Sequence, residues 1–115
     1  MGIAELPEVI RLHDARGARP TGAVGVEEFW YEPEVWSLPL SPSSRVLYAA
    51  LCAFLGHGEI NRKDLRHALK ACSDAEILGS FEDLVRHKLL SPSQKTTSAG
   101  TVPGYTVRSI ADFEG

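Results

Sequence analysis

Four histidines and two cysteines are the side chains of this chain best suited to metal binding or nucleophilic catalysis. They are His13, His57, His67, His87, Cys52 and Cys72. Zinc ligands recur at short, regular separations, and these six do not. A phosphate-cradling loop needs a lysine after its glycines, and the Gly-His-Gly run at residues 56–58 has none. No pattern in the sequence places a nucleophile beside a general base. From these three observations we expect no enzyme, no metal ion and no cofactor.

A cluster of basic residues indicates a different chemistry, the binding of phosphate. A helix over residues 62–71 would carry a basic face, defined here as Arg62, Lys63, Arg66, His67 and Lys70. Such a face suits the phosphates of double-stranded DNA. A solvated helix surface has the same composition, so both interpretations stay open. Arg86, near the end of the next helix, and Lys95, in the loop beyond it, would add to phosphate binding.

The next helix has an exposed arc of opposite character. That arc would carry Ala75, Glu76, Gly79, Ser80, Glu82, Asp83, Arg86 and His87. Carboxylates on this arc would repel phosphates; helix capping accounts for Glu76, but nothing in the sequence accounts for Glu82 and Asp83. Gly79 costs a helix about 1 kcal/mol relative to alanine and often marks a close backbone approach. The arc therefore favours protein contact over DNA contact.

Capping residues position these two helices. Asn61 with Asp64, and Ser73 with Glu76, match the pattern in which a side chain accepts from the third backbone N–H of a helix. We predict helices over about 42–55, 62–71 and 74–88. The link between the last two is so short that they must cross steeply, as in a helix-turn-helix. A plain corner between two helices is the alternative.

A β-hairpin is predicted after these helices, with strands near 89–91 or 94–97 and 104–110 around a loop rich in Gly, Pro and Ser. Over about residues 38–110 the chain resembles the winged-helix family, whose pattern is matched by Ser73, Glu76, Ile77, Phe81, Leu84, Leu89 and Leu90. Lys88 departs from it, because the family commonly has glycine there. The resemblance implies an α+β winged helix-turn-helix fold: three helices plus a C-terminal β-hairpin wing, with an N-terminal extension.

An aromatic segment narrows the resemblance further. Phe29, Trp30 and Tyr31 are followed by Trp36 and then by Leu-Ser-Pro at residues 40–42. This order is similar to the N-terminal winged-helix domain of DnaD-like primosomal proteins and of phage and plasmid replication-initiation proteins. The resemblance implies double-stranded DNA as a partner, and it also permits a role in assembly.

The first predicted helix is apolar almost all round, so it must be covered on two sides. Ser41 is a good N-cap for it and Pro42 a good first residue. Its second cover is either the aromatic segment or another subunit. The interface predicted for a homodimer consists of Trp30, Trp36, Tyr48 and Leu55.

Charge divides the chain into three parts. Residues 1–40 hold three basic and seven acidic residues, whereas residues 41–110 hold nine basic and six acidic ones. We expect an acidic, partly flexible N-terminal arm over 1–28, with a short helix at 7–13 and a linker at 16–25. A winged-helix domain over 29–110 and a tail over 111–115 would follow.

The overall composition is that of an ordinary soluble domain, with 43% hydrophobic and 23% charged residues. The sequence has no apolar run of transmembrane length and no signal-peptide pattern. We therefore expect a cytoplasmic location, no membrane partner, and two cysteines present as thiols.

Two hypotheses of function remain. The first is a DNA-binding winged helix of replication initiation or transcription control, led by phosphate contacts and weakly sequence-specific. The second is a winged helix used for protein–protein contact, through self-association or docking to a replisome or regulatory partner. Analogy of fold places the first ahead.

Overall fold

The computed structural model describes residues 6–27, 29–93, 95–97 and 100–114, with backbone alone for 95–97 and 100–102. The described part contains eight strands and three α-helices. The strands are β1 (Val9–Ala15), β2 (Val24–Val26), β3 (Phe29–Tyr31), β4 (Glu59–Asn61), β5 (Leu90–Pro92), β6 (Lys95–Thr97), β7 (Gly100–Val102) and β8 (Gly104–Arg108). The helices are α1 (Pro42–Phe54), α2 (Arg62–Ala68) and α3 (Asp74–Arg86), with short 3₁₀ turns at Pro33–Ser37, Leu55–His57 and Ile110–Asp112.

The three predicted helices are present, and their caps are the predicted ones. Ser41 accepts from the Ser44 amide at the start of α1, and complete capping boxes begin α2 and α3. The end of α2 comes three residues earlier than expected, because the backbone leaves helical geometry at Leu69. The 3₁₀ helix Pro33–Ser37 carries Trp36 ahead of α1.

The N-terminal segment differs most from the prediction. The helix expected at residues 7–13 is wrong, because the chain there forms β1. Ile10 and Leu12 are buried, whereas Arg11 and His13, each next in the chain, are exposed; this is the period of two expected for a strand. Residues 1–5 and 28 of the predicted arm lie outside the described residues.

The main sheet is mixed and has the strand order β4-β1-β8-β5. Strand β1 pairs in parallel with β8 and antiparallel with β4, so it lies inside the sheet rather than in an arm beside it. Residues 59–61 form β4, which pairs with β1 and is separated by it from the hairpin strand β8.

The predicted hairpin is present at residues 90–108. Strand β5 pairs with β8, and β6 pairs with β7 further out. The strand predicted at 104–110 ends at Arg108, and residue 94, the expected start of one strand, lies outside the described residues. At the joint between the two pairs, a Cβ on Gly104 would lie 2.7 Å from the Ser93 carbonyl oxygen. Glycine is therefore required there.

Helices α1 and α3 pack on the sheet around one apolar core. Leu47, Leu51, Phe81, Leu84 and Val107 are at most 1% exposed. The Phe81 ring also stacks on Tyr105 of β8, with 4.9 Å between centroids. The predicted α+β class is confirmed as three described helices and a mixed sheet.

Lys88, where the chain departs from the expected pattern, lies at the C-terminus of α3 in a position that suits glycine. Lys88 adopts the left-handed conformation, with φ of 69°. The Lys88 amide donates to Val85 O at 3.1 Å, and the Leu89 amide donates to Leu84 O at 3.0 Å. These are the two hydrogen bonds of a Schellman motif, in which glycine is the usual left-handed residue. A lysine therefore occupies a glycine position at some energetic cost.

We expect Lys88→Gly to raise the free energy of unfolding. A side chain in the left-handed region costs about 1–2 kcal/mol, and the added unfolded-chain entropy of glycine offsets part of the gain. The net increase should be about 0.5–1 kcal/mol, measured by urea denaturation. Lys88→Ala is the control, because it removes the same charge but keeps Cβ; an equal gain in that variant would contradict the explanation.

Candidate nucleic-acid interface

The basic face predicted on α2 is present, but its cations differ in their surroundings. Lys63, in the first turn, and Lys70, just after the helix, are exposed. The Arg62 guanidinium donates from Nε to the Leu6 carbonyl at 2.9 Å, which ties α2 to the start of β1. Beside them lies an open groove of about 450 Å³, lined by Glu8, Val9, Asn61, Arg62, Lys63 and Arg66.

Arg66 on the same face is held by a carboxylate. Its Nε and Nη2 donate to the two oxygens of Asp74, at 3.0 and 2.6 Å. This two-point contact joins α2 to the first turn of α3. The hydrogen bonds from Arg66 lower the pKa of Asp74 below its ordinary value. Arg66 is therefore largely neutralised within the chain.

The outer surface of α3 differs from the arc that the sequence predicts. Ser80 is 4% exposed, and its hydroxyl donates to Ser43 Oγ of α1 at 3.0 Å. Asp83 accepts a hydrogen bond from Ser44 Oγ of α1 at 2.8 Å. The placement of Ser80 and Asp83 on an exposed arc is therefore wrong, because α1 packs against that side of α3.

Most carboxylates of α3 already have partners. Glu76 accepts from the Ser73 amide at 2.9 Å as part of the capping box. Asp83 also forms an ion pair with Arg86. Among the described residues, Glu82 makes no hydrogen bond or ion pair, and it is exposed. Of the carboxylates on α3 that the sequence expects to repel phosphate, Glu82 is therefore the one that remains without a partner in the described part.

The remaining predicted phosphate ligands are Arg86 and Lys95. The Arg86 side chain is 72% exposed but pairs with Asp83. The side chain of Lys95 lies outside the described part. Next to Arg86, His87 Nδ1 lies 2.7 Å from the Glu114 carbonyl oxygen and its ring stacks on Phe113. The C-terminal residues therefore cover the end of α3.

Gly79 lies on the open side of α3. A Cβ added to it would meet no described atom within 4 Å. The described part of the chain therefore gives no packing reason for a glycine there.

Three of the four predicted interface residues need correction. Trp30, Tyr48 and Leu55 are 4%, 1% and 7% exposed within the single chain, so they have little surface to offer a partner. Trp36 is 44% exposed. The aromatic segment thus covers one side of α1 in cis, which was one of the two covers considered from the sequence.

Arg16 holds the aromatic segment in place over α1. Sequence reasoning missed Arg16, because nothing in a Gly- and Pro-rich stretch marks a buried arginine. Its guanidinium lies 3.6 Å from the centroid of the Trp30 ring and donates to the Trp30 carbonyl. It also pairs with both oxygens of Asp14. Burial tends to raise the pKa of Asp14, but the hydrogen bonds from Arg16 lower it overall.

The two cysteines are free thiols, as predicted. Cys52 lies in the core beneath Arg16 and Tyr48, and burial raises its pKa to about 12. A thiol with that pKa is protonated at neutral pH and a poor nucleophile. Cys72 is half-buried.

No group of three or more His, Cys, Asp or Glu in the described part of the chain is placed to hold a metal ion. No helix in the same part combines the length and apolar character needed to cross a membrane. Comparisons with protein-family models, curated proteins and solved structures gave no match for this chain.

The contact between α1 and α3 generates a prediction about acid stability. Burial raises the pKa of Asp83, but the hydrogen bonds from Ser44 and Arg86 lower it below the ordinary value. A carboxyl with a lowered folded-state pKa stabilises the fold above its unfolded pKa of about 3.9, and that stability is lost as pH falls through the folded value.

We expect Asp83→Asn to lose about 1 kcal/mol of unfolding free energy at pH 7, the typical net contribution of such a hydrogen bond. The loss should begin to shrink below about pH 4, where the carboxyl of the unfolded wild-type chain takes up its proton, and should disappear once the pH falls below the lowered folded-state pKa. Urea denaturation between pH 3 and 7 measures both effects. Glu82→Gln is the matched control and should follow the wild-type curve; a loss for Asp83→Asn that does not vary with pH would contradict the explanation.

Proposed function

We propose that this chain is a DNA-binding winged helix of replication initiation or transcription control, which holds the duplex mainly through phosphate contacts. The observation that carries the proposal is the exposed basic face on α2. This helix is followed by a short turn, by the capped helix α3 and by the hairpin of β5 to β8. That order is the one expected of a winged helix, and in a helix-turn-helix the first helix crosses the DNA backbone.

Three carboxylates of α3 are already paired within the chain, which weakens the objection that they would repel DNA. Asp74, Glu76 and Asp83 each hold a hydrogen bond or ion pair within the chain. Their charge is partly balanced before any phosphate approaches. The main objection that the sequence raises against DNA therefore weakens, and Glu82 is the carboxylate that still opposes it.

The same ion pairs reduce the number of cations that can neutralise phosphate. Arg66 is held by Asp74, and Arg86 by Asp83. Arg62, Lys63 and Lys70 form no ion pair within the described part. Three phosphate contacts correspond to a slope of about −3 in log affinity against log salt concentration. The protein should thus bind duplex DNA modestly and with strong salt dependence.

Sequence specificity should be weak. Phosphate contacts fix the position of a protein on the duplex but carry no sequence information themselves. Base reading uses bidentate arginine, asparagine or glutamine side chains in the major groove. The exposed surface of α3 offers Ala75, Gly79 and Glu82, and its one arginine, Arg86, is paired with Asp83. A carboxylate such as Glu82 can accept from cytosine, which is a less common contact.

A second function is favoured by a different observation. Trp36 is exposed on a surface next to α1 that carries little charge. This favours protein–protein contact, either with a second copy or with a replisome or regulatory partner. The two functions are separated by whether the chain binds duplex DNA at low salt.

The first test measures binding to random-sequence duplex by fluorescence anisotropy. At about 20 mM salt wild type should bind, with a slope of about −3 as salt rises. Lys63→Glu with Lys70→Glu should abolish binding on all sequences alike, because both cations face phosphate. Arg11→Glu with Arg19→Glu changes the net charge equally but lies outside the basic face, so it should bind nearly as wild type does.

Two outcomes would contradict the proposal. Equal loss in both double variants would show that net charge, and not the basic face, drives binding. An absence of binding by wild type at about 20 mM salt would favour the protein-contact function, because electrostatic binding is strongest at low salt.

The second test uses the ion pair between Arg66 and Asp74. Asp74→Asn removes the carboxylate that holds this guanidinium, so one more cation can face phosphate. One added contact corresponds to a gain on the order of tenfold in affinity at 50 mM salt. The matched control is Glu59→Gln, which removes the acid paired with Arg11 and should change affinity little. Unchanged affinity in Asp74→Asn would remove Arg66 from the interface.

A further inference from the structure

The outward side of α1 is an apolar surface that the rest of the described chain covers only in part. Successive residues of a helix are 100° apart, so five of its residues share one side. They are exposed or half-buried and carry no charge. We call them the α1 face: Pro42, Val46, Ala49, Ala50 and Ala53. The opposite side of the same helix lies in the core.

Trp36 extends this surface. Its indole packs edge-on against Tyr31, with 5.8 Å between centroids. Its carbonyl oxygen accepts a hydrogen bond from Arg45 Nη1 of α1 at 3.2 Å. These contacts hold an exposed tryptophan beside the α1 face. Tryptophan is among the residues that contribute most to protein–protein binding energy when buried at an interface.

Beside Trp36, one cation and one anion lie at the edge of this surface; at its other edge, Pro42 and Val46 line a groove with Lys70 and Glu76. Arg45 is the only charged residue of α1, and its Nε is buried without a hydrogen-bond acceptor in the described part. Such a donor is costly to leave unsatisfied. Glu34 is exposed, two residues before Trp36, and forms no ion pair or hydrogen bond within the described residues. The surface thus carries two opposite charges that are not neutralised by each other.

The path of the aromatic segment places Glu34 along α1. At one end, the Phe29 ring lies against Gly56, just beyond the C-terminus of α1. At the other end, Trp36 is bonded to Arg45, near the N-terminus of α1. The segment therefore runs antiparallel to α1, and Glu34 lies between these two anchor points, two residues before the one bonded to Arg45.

We propose that the α1 face and Trp36 form the interface of a symmetric homodimer, in which Arg45 of each protomer pairs with the partner's Glu34. In an interface with twofold symmetry every contact occurs twice, so the patch must be complementary to itself. An apolar surface with one cation and one anion at its edge meets this condition. A second copy supplies an anion for each Arg45 and a cation for each Glu34, so the charges at this edge fit a second copy of the chain.

The proposal does not rest on DNA binding. None of its residues belongs to the basic face, and its tests need no nucleic acid. It replaces the interface predicted from the sequence, of which Trp36 alone remains exposed. Leu55→Glu, which would split a dimer formed through that earlier surface, would instead place a carboxylate in the core.

Sedimentation of the full chain between about 1 and about 200 µM tests the association. The mass should rise from 12.5 kDa towards twice that value. Ala49→Glu should weaken dimerisation at least about tenfold, because it buries an unpaired carboxylate in the interface. Ala53→Glu is a second variant on the same face. Ala75→Glu is the matched control, an exposed helical alanine on α3, and should dimerise as wild type does.

Charge reversal tests the identity of the partner. Arg45→Glu and Glu34→Arg should each weaken the dimer, and the double variant should restore it, because the pairs are then reversed on both sides. Near-UV circular dichroism checks that each variant keeps its fold. If Ala49→Glu does not fold, Ala53→Glu carries the test.

Three results would overturn the proposal. Wild type that keeps the monomer mass at about 200 µM would exclude the homodimer at concentrations typical of weak association. A dimer unaffected by Ala49→Glu and Ala53→Glu would place the interface elsewhere. Failure of the double charge reversal to restore the dimer would exclude the pairing between Arg45 and Glu34.

Discussion

The pairing of β1 with its two neighbours is the contact on which the rest of the structure depends. Strand β1 lies between β4, which precedes α2, and β8, which closes the hairpin after α3. It therefore joins the two ends of the segment that carries the basic face. Leu6, Ile10 and Leu12 extend the core from this side. Without β1 the described sheet would have β4 separated from β8 and β5, and α2 would lose the contact between Arg62 and Leu6.

Hydrogen bonds to charged groups then fix the helices relative to this sheet. Arg16 holds the aromatic segment over α1 by stacking on Trp30, and Asp83 links α3 to Ser44 of α1. Each contact uses a charged side chain in an internal role. The exposed surface therefore carries fewer uncompensated charges than the sequence suggests. This is why the acidic appearance of α3 does not argue strongly against contact with DNA, and why the basic face provides fewer phosphate ligands than its residue count implies.

The proposed functions use different residues, although Pro42 and Val46 of the α1 face share a groove with Lys70 of the basic face. The basic face belongs to α2, whereas the α1 face and Trp36 lie on the first helix and the segment before it. A dimer formed through α1 would present two basic faces. Two faces on one particle would raise the effective concentration of the second at the DNA once the first is bound. Weak phosphate-led binding by each protomer is compatible with tight binding by the pair.

Local signals in the sequence determined the helices and the hairpin, because capping boxes at Asn61 and Ser73 and the alternation before Arg108 act over a few residues. The positions of most basic side chains on one helix face followed from the same periodicity. Tertiary structure alone decided the role of residues 9–15, whose short apolar alternation becomes a strand only because β4 and β8 offer unpaired edges. It also decided which charges remain available. Ion pairs such as Arg66 with Asp74 join residues on different helices, and the separation of two residues in sequence does not indicate that their side chains will meet.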